Sequence, residues 1–209
     1  MSYLDTPTEA QAEGEVGRLY AADRARHGYV ANLTKVFALQ PDIYDAWARL
    51  NTTIKAGMEP RRYELATLAA ARRLRSSYCA LAHGTVLRDR FFDGPTVQKI
   101  AADHHDAGLD PADIAIMDFA EKTAGDAASI TATDIDMLRQ HGLTDVDIFQ
   151  VVLAAAARCF FSTVLDAVGT EPDSAYRTSM EPELQHVLTV GRPIATDEDP
   201  TAVHEGHRR

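Results

Sequence analysis

The residues of this chain best suited to chemistry are a carboxylate, a thiol and an imidazole in one stretch: Glu64, Cys79 and His83 of ELATLAAARRLRSSYCALAH. Cys79 and His83 are four residues apart, so on a helix they share a face one turn from each other. Ser76 precedes Cys79 by three residues and either joins that face or caps its first turn. A deprotonated thiol is a nucleophile, and an imidazole with a carboxylate can move protons to and from it. Each residue also has an inert reading: Glu64 as a carboxylate suited to the dipole of a helix start, Cys79 as a small buried hydrophobe, and His83 as a core histidine.

Two helices must position these groups. Pro60 opens the first, whose Leu65, Leu68, Ala69 and Leu74 follow core spacing and whose first turn holds Glu64. The run from Arg72 to Ser77 then brings positive charge to one helix end and two capping residues to the start of the next. Cys79 is therefore expected in the first turn of the second helix, beside Arg73 and Arg75, an electropositive setting that favours the thiolate.

The remaining chain carries the same periodicity. Helices are expected over 7–26, 30–39, 41–56, 60–73, 77–91, 95–104, 111–124, 133–141, 146–168 and 181–190. Pro7, Pro41, Pro60, Pro95 and Pro111 mark starts, and Gly28, Gly57, Gly108, Gly142 and Gly169 mark ends. No run alternates apolar and polar residues long enough for a strand, so the fold class is all-α. A single domain is expected over 1–190, followed by a tail, 191–209, that loses periodicity and is mobile or wraps a neighbouring subunit.

Composition narrows the function classes. The chain has 209 residues, 45% of them hydrophobic, enough for a sizeable core. Its 31 acidic against 21 basic residues give a formal charge of -10, which repels a phosphate backbone or an anionic membrane. The polar, acidic start lacks the pattern of a signal peptide, so a cytoplasmic location is expected. The apolar segment 146–168 is interrupted by Asp147, Arg158 and Asp166 and reads as a core helix. In a reducing compartment Cys79 and Cys159 are both free thiols, with Cys159, in AAAARCFFSTVL, a packed core thiol.

Glu64 followed by Ser76-x-x-Cys79-x-x-x-His83 resembles the signature of the carboxymuconolactone decarboxylase and alkyl hydroperoxidase D-like superfamily, whose redox members carry a Glu and then Cys-x-x-Cys-x-x-x-His. The flanking runs FALQPDIYDAWARL, with Phe37, Pro41 and Trp47, and GLTDVDIFQVVLAAAARCFFSTVLDAVG are similar to its peroxidase-related branch, so the likeness spans about residues 32–169. It implies an all-α domain of nine to ten helices, no cofactor, and assembly as a homo-oligomer, a trimer or hexamer. By position it implies that Cys79 attacks peroxide while Glu64 and His83 relay protons. Ser76 stands where the other cysteine of the pair would be, and Tyr78 where some members have histidine, so both are auxiliary candidates. A serine cannot form the disulfide that resolves a sulfenic acid.

The implied activity is therefore one-cysteine, peroxiredoxin-type reduction of a small hydroperoxide, with an external thiol as reductant. Two alternatives remain: an acid/base enzyme like the lactone decarboxylases, using Glu64 and His83 on a small organic acid, and a non-catalytic oligomer with a decayed site. Elsewhere, Asp103-His104-His105-Asp106 reads as a solvated helix end whose adjacent side chains diverge, and His204-Glu205-Gly206-His207 lacks zinc-protease spacing. No metal, nucleotide, flavin or haem is expected.

Overall fold

Proline and glycine punctuate the chain much as the sequence implies. The computed structural model describes residues 2–196. Its α-helices are α1 Gly14–His27, α2 Asn32–Phe37, α3 Pro41–Ala56, α4 Pro60–Arg73, α5 Ser77–Arg90, α6 Gly94–Ala102, α7 Pro111–Asp126, α8 Ala132–Gln140, α9 Asp145–Ala167, α10 Tyr176–Ser179 and α11 Pro182–Leu188. No strand occurs among the described residues, and the all-α class holds. Proline occupies the opening turn of α3, α4, α6, α7 and α11, where its missing N–H is one the helix would leave unpaired anyway.

Several helix ends shift by one or two residues, α10 lies where no helix is expected, and one expected helix is broken. The helix expected over 7–26 is broken into a 3-10 turn, Glu9–Gln11, and then α1. Gln11 turns back so that its Oε1 accepts both the Thr8 N–H at 3.1 Å and the Thr8 hydroxyl at 2.9 Å, closing the turn before Gly14 begins α1.

Helix α4 is the axis of the molecule. Every residue from Tyr63 to Ala71 is buried, and α5, α7 and α9 pack around it. Leu65 and Leu68 are fully enclosed, so truncating either to alanine costs about 2–5 kcal/mol. Helix α9 is long and apolar enough to cross a bilayer, yet its inner face is core. Ile148, Val151, Ala155, Arg158, Ser162 and Leu165 recur at helical spacing along that buried stripe. Val146, Phe149 and Phe160 lie exposed on the same helix.

The turn between α4 and α5 is tight and externally locked. Arg75 adopts the left-handed conformation, φ 58°, and Gly191 crosses so close that a Cβ there would collide with the Arg75 carbonyl oxygen. The Gly191 N–H donates to Ser77 Oγ at 2.8 Å, pinning the start of α5. Residues 191–196, the beginning of the tail expected to be mobile or to wrap a neighbouring subunit, lie against their own chain. The Ala195 N–H donates to the Pro172 carbonyl at 2.9 Å, and Ile194 and Ala195 are buried. Arg177 holds both by donating to their carbonyls at 2.5 and 2.8 Å. The remainder of the expected tail, including His204 and His207, lies outside the described residues.

Candidate active site

Four helices bring one polar cluster together inside the core. Glu64, expected in the first turn of α4, falls in its second turn; it is 1% exposed and uses both carboxylate oxygens. Oε2 lies 2.6 Å from His83 Nδ1 and Oε1 accepts from Lys55 Nζ at 2.5 Å. His83 projects from α5 one turn beyond Cys79, and the Tyr63 ring meets it edge-on at 6.1 Å. Cys79 is 2% exposed; its Sγ accepts from the Ser162 hydroxyl at 3.2 Å and lies 3.9 Å from Arg158 Nη1.

Arg158 is the hub. Its Nη1 donates to His83 Nε2 at 3.3 Å, and Nη2 donates to Asn51 Oδ1 at 3.1 Å, the oxygen that also takes the Tyr63 hydroxyl at 2.8 Å. The guanidinium stands 5.2 Å from the ring centres of both Trp47 and Phe161, and such cation–ring contacts are each worth about 0.5–2 kcal/mol. Helix α3 thus contributes Trp47, Asn51 and Lys55 from one face, at four-residue spacing.

The charges follow from this arrangement. Burial alone would raise the Glu64 carboxyl, but hydrogen bonding and attraction from His83 and Lys55 prevail and hold it below its ordinary value. Burial lowers the His83 imidazole, with the Arg158 and Lys55 charges adding to the effect and Glu64 opposing without reversing it. Near neutral pH the pair is therefore a carboxylate and a neutral imidazole. Because Nε2 accepts from Arg158, the hydrogen-bond network assigns the ring proton to Nδ1, facing Glu64.

No family model matches the chain, and no curated protein matches it. Solved structures do. An alkylhydroperoxidase AhpD core structure, a peroxidase-related protein from Ralstonia eutropha JMP134, superposes with a TM-score of 0.75 at 22% identity, covering 84% of this chain and 94% of that one. A peroxidase-related protein from Silicibacter sp. TM1040 gives 0.75 at 22%, over 84% and 93%. The debrominase Bmp8, as a Cys-to-Ala variant in complex with 2,3,4-tribromopyrrole, gives 0.72 at 14%, over 90% and 100%.

The chain has the AhpD core fold.

Within this AhpD-like frame, Glu64, Cys79 and His83 share one cluster, but Cys79 and His83 meet through Arg158. The other expected residues lie elsewhere. Ser76 precedes α5, fully buried; its hydroxyl makes no hydrogen bond to Cys79, and its polar influence falls on Asp166, whose carboxyl burial raises against the opposing effects of Ser76 and Arg192. Tyr78 points away: its hydroxyl donates to Asp173 Oδ2 at 2.5 Å and accepts from the Leu33 N–H at 3.3 Å, tying α5 to the segment after α9.

The arginines expected beside Cys79 are also displaced. Arg73 packs against Gly125 of α7, and Arg75 Nε donates to the Val190 carbonyl at 3.4 Å. Cys159 is half-buried and unpaired, and burial pushes its thiol up. Arg158 and Ser162, which replace the arginines as partners of Cys79, have a sequence signal: two polar residues four apart on the buried stripe of α9.

Proposed function

We propose that the chain belongs to the alkyl hydroperoxidase D-like superfamily and reduces hydroperoxides through Cys79 alone. One observation carries the reading. Cys79 Sγ, Arg158 Nη1, His83 Nε2 and Glu64 form an unbroken series of polar contacts, with Nη1 3.9 Å from sulfur and 3.3 Å from Nε2, and Nδ1 2.6 Å from the carboxylate.

The chemistry runs along that series. Neutral His83 has its lone pair on Nε2, where it accepts the thiol proton, directly or through a water, as Nη1 moves off it. The resulting imidazolium is held by the Glu64 carboxylate, and the freed Nη1 faces the thiolate. The thiolate attacks the terminal oxygen of the hydroperoxide, forming an S–O bond as the O–O bond breaks. The departing alkoxide takes the proton back from His83 Nε2. Thiol and hydroperoxide thus become sulfenic acid and alcohol: the sulfur is oxidised and the peroxide reduced.

Resolution requires another sulfur. Ser76 supplies none, and the raised thiol of Cys159 is poorly suited to attack. An external thiol therefore condenses with the sulfenic acid, releasing water, and a second thiol cleaves the mixed disulfide to restore Cys79. Because Cys79 is 2% exposed, small hydroperoxides are the favoured substrates.

Treatment with stoichiometric hydroperoxide and a sulfenic-acid trap, followed by mass spectrometry, tests this. Labelling should fall on Cys79 first; a Cys79 that stays reduced while other residues oxidise would overturn the reading. A second reading rests on the debrominase of the same fold. Thiol-dependent bromide release from 2,3,4-tribromopyrrole, without peroxide consumption, would replace the first reading with that one.

A further inference from the structure

Two adjacent histidines that the sequence pattern sets apart are brought together at the end of α6. Asp103, at φ -155° and ψ 107°, ends the helix and begins a 3-10 turn, His104–Asp106, capped as Asp103 Oδ1 accepts the His105 N–H at 3.0 Å. That turn lays the two imidazoles over one another, with centroids 4.3 Å apart and planes inclined by 30°. The expectation of diverging side chains is therefore wrong here, because both rings turn toward the one Asp118 carboxylate; His105 stays solvated, while His104 is buried.

We propose that His104, His105 and Asp118 of α7 form a binding site for a divalent transition-metal ion of the zinc type. His104 Nε2 lies 2.8 Å from Asp118 Oδ1, and His105 Nε2 lies 3.1 Å from the same oxygen and 3.2 Å from Oδ2. The three ligand atoms lie within 4.8 Å of one another. Tetrahedral coordination with bonds of about 2.0–2.1 Å separates ligand atoms by about 3.3 Å, so on binding an ion the two nitrogen–oxygen separations open by a few tenths of an ångström and the two nitrogens, within 4.8 Å of one another, settle to the same spacing.

The surroundings are those of a metal site. Asp103 Oδ1 sits 3.2 Å from His105 Nδ1, an outer carboxylate that orients the ring and fixes which nitrogen faces the ion. Glu121, one turn beyond Asp118, lines a cavity of about 220 Å³ together with Asp103, His104 and His105. Arg72 also lines that cavity, donating Nη1 to the Val187 carbonyl at 2.7 Å while its charge acts on Glu121. Asp118 and His105 are about half exposed, which leaves the remaining coordination position to solvent. Two imidazoles and one carboxylate select a borderline ion such as Zn²⁺ over Mg²⁺ or Ca²⁺, which favour all-oxygen shells.

Calorimetric titration of chelator-stripped, full-length protein with Zn²⁺ tests the site. It is done in a background carrying Cys79→Ser, His204→Ala and His207→Ala, so that neither the thiol cluster nor the chain's last histidines can bind the ion. One Zn²⁺ per chain is expected. His105→Ala and Asp118→Asn should each weaken binding at least tenfold, and Asp103→Asn should weaken it by about 10-fold to 100-fold. Both first-named positions are partly solvent-exposed, and unchanged metal-free melting of those variants verifies that they fold. Cobalt gives an independent readout: ligand-field absorption of a bound Co²⁺ should vanish in His105→Ala. Absence of saturable binding in that background, or binding unchanged by either His105→Ala or Asp118→Asn, overturns the proposal.

Discussion

His83 and His105 are both paired with carboxylates, and their environments drive them in opposite directions. His83 is buried between Glu64 and the Arg158 guanidinium, and its imidazole is held below its ordinary value. His105 is open to solvent and faces Asp103 and Asp118, whose hydrogen bonding and charge raise it. A carboxylate partner alone therefore does not decide the charge of a histidine. Desolvation and a neighbouring cation prevail in the first cluster, whereas two carboxylates prevail where little is desolvated. The first arrangement suits a proton acceptor and the second a cation clamp.

The sharpest way to break this contrast is to remove the sulfur that gives the buried cluster its proposed role. Cys79→Ser should abolish thiol-dependent hydroperoxide consumption, read as peroxide loss over time; consumption at the unmodified rate would end that role. Activity on an organic acid that survives Cys79→Ala but disappears in His83→Ala would instead make the buried pair an acid/base device.

Removing the cation comes next. Arg158→Leu should lower peroxide turnover by about 10²-fold or more, since a preorganised charge facing the reacting atom is lost. It should also move the His83 titration upward, because Arg158 is among the groups that depress it. The same shift in His105 would show that the two clusters are coupled rather than separate.

Proton NMR titration sharpens the contrast directly. The His83 ring signals should change below pH 6.5 and those of His105 above it. Coincident midpoints would erase the distinction.

Stability carries the smallest signature. For His83 the unfolded chain binds a proton before the folded one, so stability falls as pH drops below 6.5 toward the lowered folded value. Glu64, depressed in the fold, contributes stability that is complete above about its ordinary 4.5 and is lost as pH falls through the folded value. Denaturant unfolding between pH 7 and about 3 should show the His83 slope disappear in His83→Gln. Glu64→Gln should flatten the more acidic part of the profile.

The helical frame was legible because its boundaries are local. Pro60, Pro111 and Gly142 act through their own backbones, and α4, bounded by Pro60 and Arg73, falls where its periodicity places it. That Glu64, Cys79 and His83 gather in one cluster was likewise readable from spacing and resemblance. The cation was not: nearness in sequence pointed to Arg73 and Arg75, but the left-handed turn at Arg75 sends that stretch toward Val190 and α7. Arg158 looked like an interruption of an apolar helix, although its place on the stripe with Val151, Ala155 and Ser162 marks it as inward-facing. Asp118 carries no local sign that it meets His104 and His105, since only the packing of α7 on the 3-10 turn joins them.

Trp47 adds an optical consequence to the packing around Arg158. It is the chain's single tryptophan, is 7% exposed, and stacks on Phe161 at 5.0 Å with the guanidinium 5.2 Å from its ring. Its emission therefore arises from one buried indole beside the cation that faces the sulfur. Any change in sulfur charge that moves Arg158 alters the field across that ring, so tryptophan emission gives a dye-free way to follow the proposed oxidation of Cys79.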